Sequence, residues 1–171
     1  MQKDLARRDE DSLLRCPPAS LHVSLGSFLF VREDYAEGKE MLWARHGGRW
    51  LQGLDRLLGQ VGPFTLRFRQ VVVTDSAVIA LAECPQEVKV IRQALTALRS
   101  DSGLDGSQPI IVHTTLFRLG GALRDPPTLL EAAVSTLVEA RFWVEDVVVT
   151  RELRYPSLVT EDLARLPLPH R

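Results

Sequence analysis

Apolar and polar positions along this chain fall into two periodicities. Alternating runs predict half-buried strands, and apolar residues three or four apart predict helices. The first alternating run, Leu21-His22-Val23-Ser24-Leu25, predicts a strand over about 21–31. On it Leu21, Val23 and Leu25 point into a core, while His22, Ser24 and the side-chain-less Gly26 point the other way, toward space for a ligand. A helical region follows, roughly Asp34 to Leu58, and Gly47-Gly48 predicts a break into two helices there, since two interior glycines cost about 2 kcal/mol relative to alanine. His46 then ends the first helix, and Trp43 and Trp50 face its core.

Gly62-Pro63 opens a strand, PFTLRFRQVVV, and TDSA turns it back into VIALAE as a hairpin. QEVKVIRQALTALRS is helical, with Val88, Ile91, Leu95 and Leu98 on one face. A polar loop leads to the strand PIIVHTTLFRL. Pro126-Pro127 starts a helix through about Arg141, with Asp125 or Thr128 as candidate caps. FWVEDVVVTREL reads as a last strand. Residues 1–19 read as a flexible lead-in, 20–158 as one folded domain of two lobes, and 159–171 as a C-terminal tail.

Composition narrows the classes. A hydrophobic fraction of 45% supports a real core, and 25% charged residues is ordinary for a globular chain. With 21 basic against 22 acidic residues the net charge is −1, which argues against binding long nucleic acid by counterion release and leaves a nucleotide or a short strand end open. Cys16 and Cys84 have no metal-ligand spacing and are too few for a disulfide framework, so reduced thiols in a cytoplasmic protein are expected. Neither a signal segment nor a membrane span is expected, and the chain is expected to be a monomer.

The strongest signal is a repeat. Leu21-His22-Val23-Ser24-Leu25 aligns without a gap on Val112-His113-Thr114-Thr115-Leu116, and both lie on predicted strands. Serines and threonines make up 19 of 171 residues, so a histidine meets one at i+2 about one time in nine; here two of four do. Opening a phosphodiester needs a base for the attacking oxygen and an acid for the leaving oxygen, and two imidazoles can supply both near neutrality. The hydroxyls of Ser24 and Thr115 can donate to phosphoryl oxygens. That chemistry requires no metal or cofactor.

The paired His-x-Ser/Thr motifs, separated by 91 residues, resemble those of the two-histidine (2H) phosphoesterase superfamily, which includes RNA 2′,3′-cyclic phosphodiesterases related to the bacterial 2′-5′ RNA ligases. The resemblance covers about residues 20–158. It implies an α+β, bilobal fold in which two pseudo-symmetric antiparallel sheets, flanked by helices, form a central cleft. It also implies that His22 and His113 are catalytic and that Ser24 and Thr115 bind phosphate. The activity implied is a metal-independent phosphodiesterase acting on the 2′,3′-cyclic phosphate of a nucleotide or short RNA end. The alternative is a nucleotide- or RNA-end-binding module with the same cleft and no turnover.

Three further residues are candidates for substrate contact. Arg67 and Arg69 alternate with Phe64, Leu66 and Phe68 and can clamp a phosphate from the opposite face. Tyr155, after the last strand, can stack on a base. Arg118 has the opposite parity to His113 on a regular strand and so is left outside the site. His170 is read as a tail residue.

Overall fold

The hairpin at the middle of the chain sets the register of the main sheet. In the computed structural model, which describes residues 12–106, 108–121, 125–135, 139–154 and 159–170, β2 (Phe64–Val73) and β3 (Ala77–Ala82) pair antiparallel. The turn between them is closed by Thr74, whose hydroxyl accepts the Ala77 N–H at 3.1 Å and whose own N–H donates to the Ala77 carbonyl at 2.8 Å. With β1 (Leu13–Arg15), β4 (Val112–Leu119) and β5 (Ala140–Val144) these strands form a five-stranded sheet in the order β1-β4-β3-β2-β5. A second sheet pairs β6 (Asp146–Arg154) antiparallel with β7 (Val159–Pro167). Among the described residues three α-helices complete an α+β fold: α1 (Lys39–Leu58), α2 (Gln86–Ser100) and α3 (Pro126–Ser135).

Two compact units share the chain. One comprises Met1–Ser24, Leu66–Cys84 and Ile111–Phe142; its buried residues include Phe68, Val71, Val78, Ala80, Val112 and Phe117 from the sheet and Leu129 and Ala133 from α3. The other comprises Leu25–Thr65, Pro85–Ile110 and Trp143–Arg171, and here α1 packs against α2.

Several elements differ from the sequence reading. Helix α1 runs unbroken through Gly47-Gly48. A Cβ at Gly47 would lie 2.8 Å from the Trp43 ring, so the glycine lets that ring lie down on the helix. Trp50 is 0% exposed, stacks on Phe28 at 5.2 Å between ring centroids, and donates its indole N–H to the Leu98 carbonyl. Burial of each such ring contributes about 1.5–3 kcal/mol, enough to offset the glycine penalty. His46 therefore sits within the helix, stacked 5.5 Å from Trp50, rather than at its end.

Leu13–Arg15, expected in a lead-in, is a strand paired with β4, and Val159–Pro167, expected in a tail, is the partner of β6. The single strand expected at FWVEDVVVTREL is split at Glu145 into β5 and β6, which belong to different sheets; the Glu145 carbonyl accepts from Leu168 N–H at 2.7 Å. Helix α3 ends, among the described residues, at Ser135, and β5 already begins at Ala140. Asp125 is its cap, accepting the Thr128 N–H at 3.1 Å. Hydrogen bonds from Thr128 hold the Asp125 carboxyl below its usual range.

Candidate functional site

The second motif lies on β4, between β1 and β3 in the sheet. His113 is opposite Leu81 and Thr115 opposite Ile79, so both side chains take one face of the sheet while Val112 is buried on the other. Between Val78 and Ile79 the register shifts: Val78 pairs with Phe117 and Ile79 with Thr115, leaving Leu116 as an extra residue on β4. Arg118 is then opposite Ala77, which shares a face with Ile79 and Leu81 on β3. The bulge therefore turns Arg118 onto the face of His113 and Thr115, against the parity expected of a regular strand. All three are half-buried. No local residue pattern announces this bulge, since Leu116 is an ordinary apolar strand residue.

The first motif is not on a strand. His22 and Ser24 are exposed and lie in an unpaired extended segment after a short 3₁₀ turn at Pro18–Ser20. Leu21, expected in the core, is 37% exposed. His22 Nδ1 lies 2.9 Å from the Ser20 carbonyl oxygen. A carbonyl only accepts, so Nδ1 carries the hydrogen and Nε2 of the neutral ring keeps its lone pair. The motif histidine is thus tied through Nδ1 to the turn that precedes it.

Downstream of the motif, side chains replace the missing strand partner. Arg92, 8% exposed on α2, donates from Nε to the Leu25 carbonyl at 2.8 Å and from Nη1 to the Ile110 carbonyl at 3.2 Å. The Gln108 amide accepts the Ser27 N–H at 2.8 Å and donates to the Ser27 carbonyl at 3.0 Å. Arg99 donates to the Phe28 carbonyl at 3.0 Å. These bonds satisfy a backbone that would otherwise need a sheet neighbour, and they explain why alternation here gives an extended segment without a ladder. From Leu25 to Ser27 on one segment, the partners run back from Ile110 to Gln108 on the other, so the two segments are antiparallel. Gly26 is not open space: a Cβ there would lie 2.5 Å from Leu95 Cδ1 and 2.6 Å from Gln108 Oε1.

Of the further candidates, Arg67 is opposite Glu83, whose N–H donates to its carbonyl at 2.9 Å. Glu83 is two residues beyond Leu81, so Arg67 shares the sheet face of His113, and it is exposed. Arg69, at the irregularity between Phe68 and Gln70, is held to Glu83 at 2.8 Å in an exposed ion pair. Tyr155 lies outside the described residues. Burial pushes the Cys16 thiol up, and the Arg118 charge pulls it partway back. Among the described residues no group of three or more His, Cys, Asp or Glu is placed to hold a metal ion, and no helix is long and apolar enough to cross a membrane.

No protein-family model and no curated protein sequence matches the chain. Solved structures do. The apo form of E. coli LigT is similar at 17% identity, covering 94% of this chain and 83% of that one, with a TM-score of 0.53. LigT complexed with 3′-AMP is similar at 19% identity over 93% and 82%, TM-score 0.53. A crystal structure described as a phosphoesterase is similar at 18% identity over 99% and 90%, TM-score 0.55. At these identities the likeness establishes the fold, over nearly the whole chain.

Proposed function

We propose that this chain, which has the fold of E. coli LigT, is a two-histidine phosphodiesterase that opens the 2′,3′-cyclic phosphate of a nucleotide or short RNA end. The observation that carries this reading is the antiparallel run of the two segments flanking the motifs. Leu25 follows His22 by three residues and Ile110 precedes His113 by three; Ser27 and Gln108 stand five away on the same two sides. On this reading the same register continues along both segments, and His22 faces His113.

The chemistry follows from the groups of the two motifs and the sheet face. His22, with Nδ1 bonded to Ser20, has Nε2 available to take a proton from water as the water oxygen attacks phosphorus. The bond from phosphorus to one ribose oxygen breaks, and a protonated His113 gives its proton to that oxygen. Ser24 and Thr115 hydroxyls and the Arg118 guanidinium donate to the non-bridging oxygens, where charge grows. Arg67 and Arg69 extend the positive side of the sheet toward a substrate phosphate, and Tyr155 is assigned to the base. The product is a 2′- or 3′-phosphomonoester. That LigT binds 3′-AMP supports this substrate class, because 3′-AMP is what ring opening of a 2′,3′-cyclic adenylate can leave. The mechanism needs no metal, and a net charge of −1 suits a cytoplasmic monomer acting on small substrates rather than long nucleic acid.

The test is incubation with 2′,3′-cyclic nucleotides, cyclic-phosphate RNA ends and short 2′-5′ linked oligomers, with phosphomonoester release as readout. Release from the cyclic phosphates is the expected result. Saturable binding of the same nucleotides without product would replace the enzyme by a nucleotide- or RNA-end-binding module.

A further inference from the structure

The sheet face that carries the second motif has arginines at both of its ends, all within the unit formed by Met1–Ser24, Leu66–Cys84 and Ile111–Phe142. Along β3 that face is marked by Ala77, Ile79 and Leu81, opposite Arg118, Thr115 and His113 in turn, and Glu83 continues it beside Arg67. A strand spacing of about 4.8 Å and a rise of about 3.4 Å per residue set Arg67 about 12 Å from His113 between Cα atoms, and farther still from Arg118. Arg69 joins Arg67 at that end. The register steps between Phe68 and Gln70, and Arg69 Nε donates to Glu83 Oε1 at 2.8 Å, while Phe68 and Val71 are buried on the opposite side. Arg67 and Arg118 are thus too far apart to hold one phosphoryl group. Resting on the phosphodiesterase reading above, we infer that Arg67 and Arg69 form a second phosphate subsite. It takes the phosphodiester next to the cyclic phosphate, so the substrate is a short oligonucleotide end rather than a mononucleotide.

The residue types suit the task. A guanidinium matches the oxygens of a phosphodiester with a planar fork of donors. Glu83 bonds Arg69 through Nε alone, which orients the fork while four of its five N–H groups remain on the two Nη atoms. Both members of that ion pair are about half exposed, with side chains at 47% and 53%, so the pair adds little to stability. Its effect on an anion is larger, because the carboxylate lies between the arginines and the motif and opposes a second negative charge. Removing that charge while keeping an acceptor for Arg69 Nε, as in Glu83→Gln, therefore favours the phosphodiester. One additional phosphate also suits a chain of net charge −1, which has no basic footprint for long nucleic acid.

The experiment compares two dinucleotides that end in a 2′,3′-cyclic phosphate and differ only in the internal linkage, a charged phosphodiester in one and a neutral methylphosphonate in the other. The wild type is expected to open the charged substrate with a kcat/KM about fivefold higher, carried by KM. That advantage should shrink as salt rises, with a log–log slope of about −0.7 for one single-strand phosphate. Arg67→Gln and Arg69→Gln should each bring the ratio toward one, whereas Glu83→Gln should raise it. Opposite signs for Arg69→Gln and Glu83→Gln distinguish a phosphate subsite from a surface ion pair, which both changes would weaken alike. Equal kcat/KM on the two substrates in the wild type overturns the subsite, and so does a Glu83→Gln variant that shifts the ratio the same way as Arg69→Gln. A wild type that opens neither dinucleotide overturns the proposed function. The Kd values of the two corresponding 3′-phosphorylated dinucleotides then decide the subsite: tighter binding of the charged one supports it, and equal binding overturns it.

Discussion

Thr115 and Arg118 face the same side of the five-stranded sheet although they stand three positions apart, because the β3–β4 register steps from Ile79 opposite Thr115 to Val78 opposite Phe117. A regular strand would send the arginine to the opposite face. The bulge adds a fixed positive charge to the sheet face that carries the hydroxyl and the imidazole of the second motif, in a half-buried setting where charge-assisted bonds are stronger than in water.

Arg118 is therefore expected to bind the phosphoryl group. Arg118→Met should lower turnover of a cyclic phosphate by about 10²–10³-fold, the usual cost of losing one donor to developing charge, and Arg118→Lys should restore part of it. The same change has a readout independent of catalysis. The Arg118 charge opposes the burial that raises the Cys16 thiol, so in a Cys84→Ser background Arg118→Met should slow alkylation of Cys16. Unchanged alkylation would mean that Arg118 does not lie near the thiol.

A side chain at Gly26 is expected to destabilise the fold. Its Cβ would meet Leu95 Cδ1 at 2.5 Å and Gln108 Oε1 at 2.6 Å, so Gly26→Ala must displace both side chains. Overpacking of this kind costs about 1–3 kcal/mol, which for a chain of this size lowers the thermal midpoint by about 2–4 °C per kcal/mol. Combining Gly26→Ala with Gln108→Ala should recover part of the loss, since one of the two clashes disappears. A calorimetric scan of the three variants checks this.

Asp125 is expected to stabilise α3 as a charged cap, and the effect should depend on pH. Its folded-state value is lowered from an ordinary 3.8 by the hydrogen bonds to Thr128. The stabilisation is thus fully present above about 3.8 and lost as pH falls through the lower folded value. Asp125→Ala should have a lower thermal midpoint than wild type at neutral pH, with the gap closing in acid. Asp125→Asn should keep most of the cap at both pH values.

Much of this molecule was legible in the residues. The β2–β3 hairpin, α2 and the strand carrying His113 follow from local periodicity, and the turn at Thr74 uses the side-chain chemistry that TDSA suggests. What escaped depends on long-range partners. The glycine pair in α1 looks like a break until Phe28 is seen stacked on Trp50. Leu21–Leu25 alternates like a strand, but its neighbourhood is satisfied by Arg92 and Gln108 rather than by a ladder. β1 escaped because it is only three residues long and follows a charged run, and β7 because its sequence is mostly polar on the exposed side. The paired histidine motifs were visible from spacing alone, whereas Arg118 was not, because a bulge is a property of two strands together.

If His22 and His113 act as one acid–base pair, single-turnover kinetics on a 2′,3′-cyclic nucleotide will report it. His22→Ala and His113→Ala should each slow ring opening by about 10²–10⁴-fold, with the double variant losing less than the product of the two. The wild-type rate should be bell-shaped in pH, since one imidazole must be neutral and the other protonated. A wild-type rate in either folded single variant, on a substrate the native protein opens, would contradict the account.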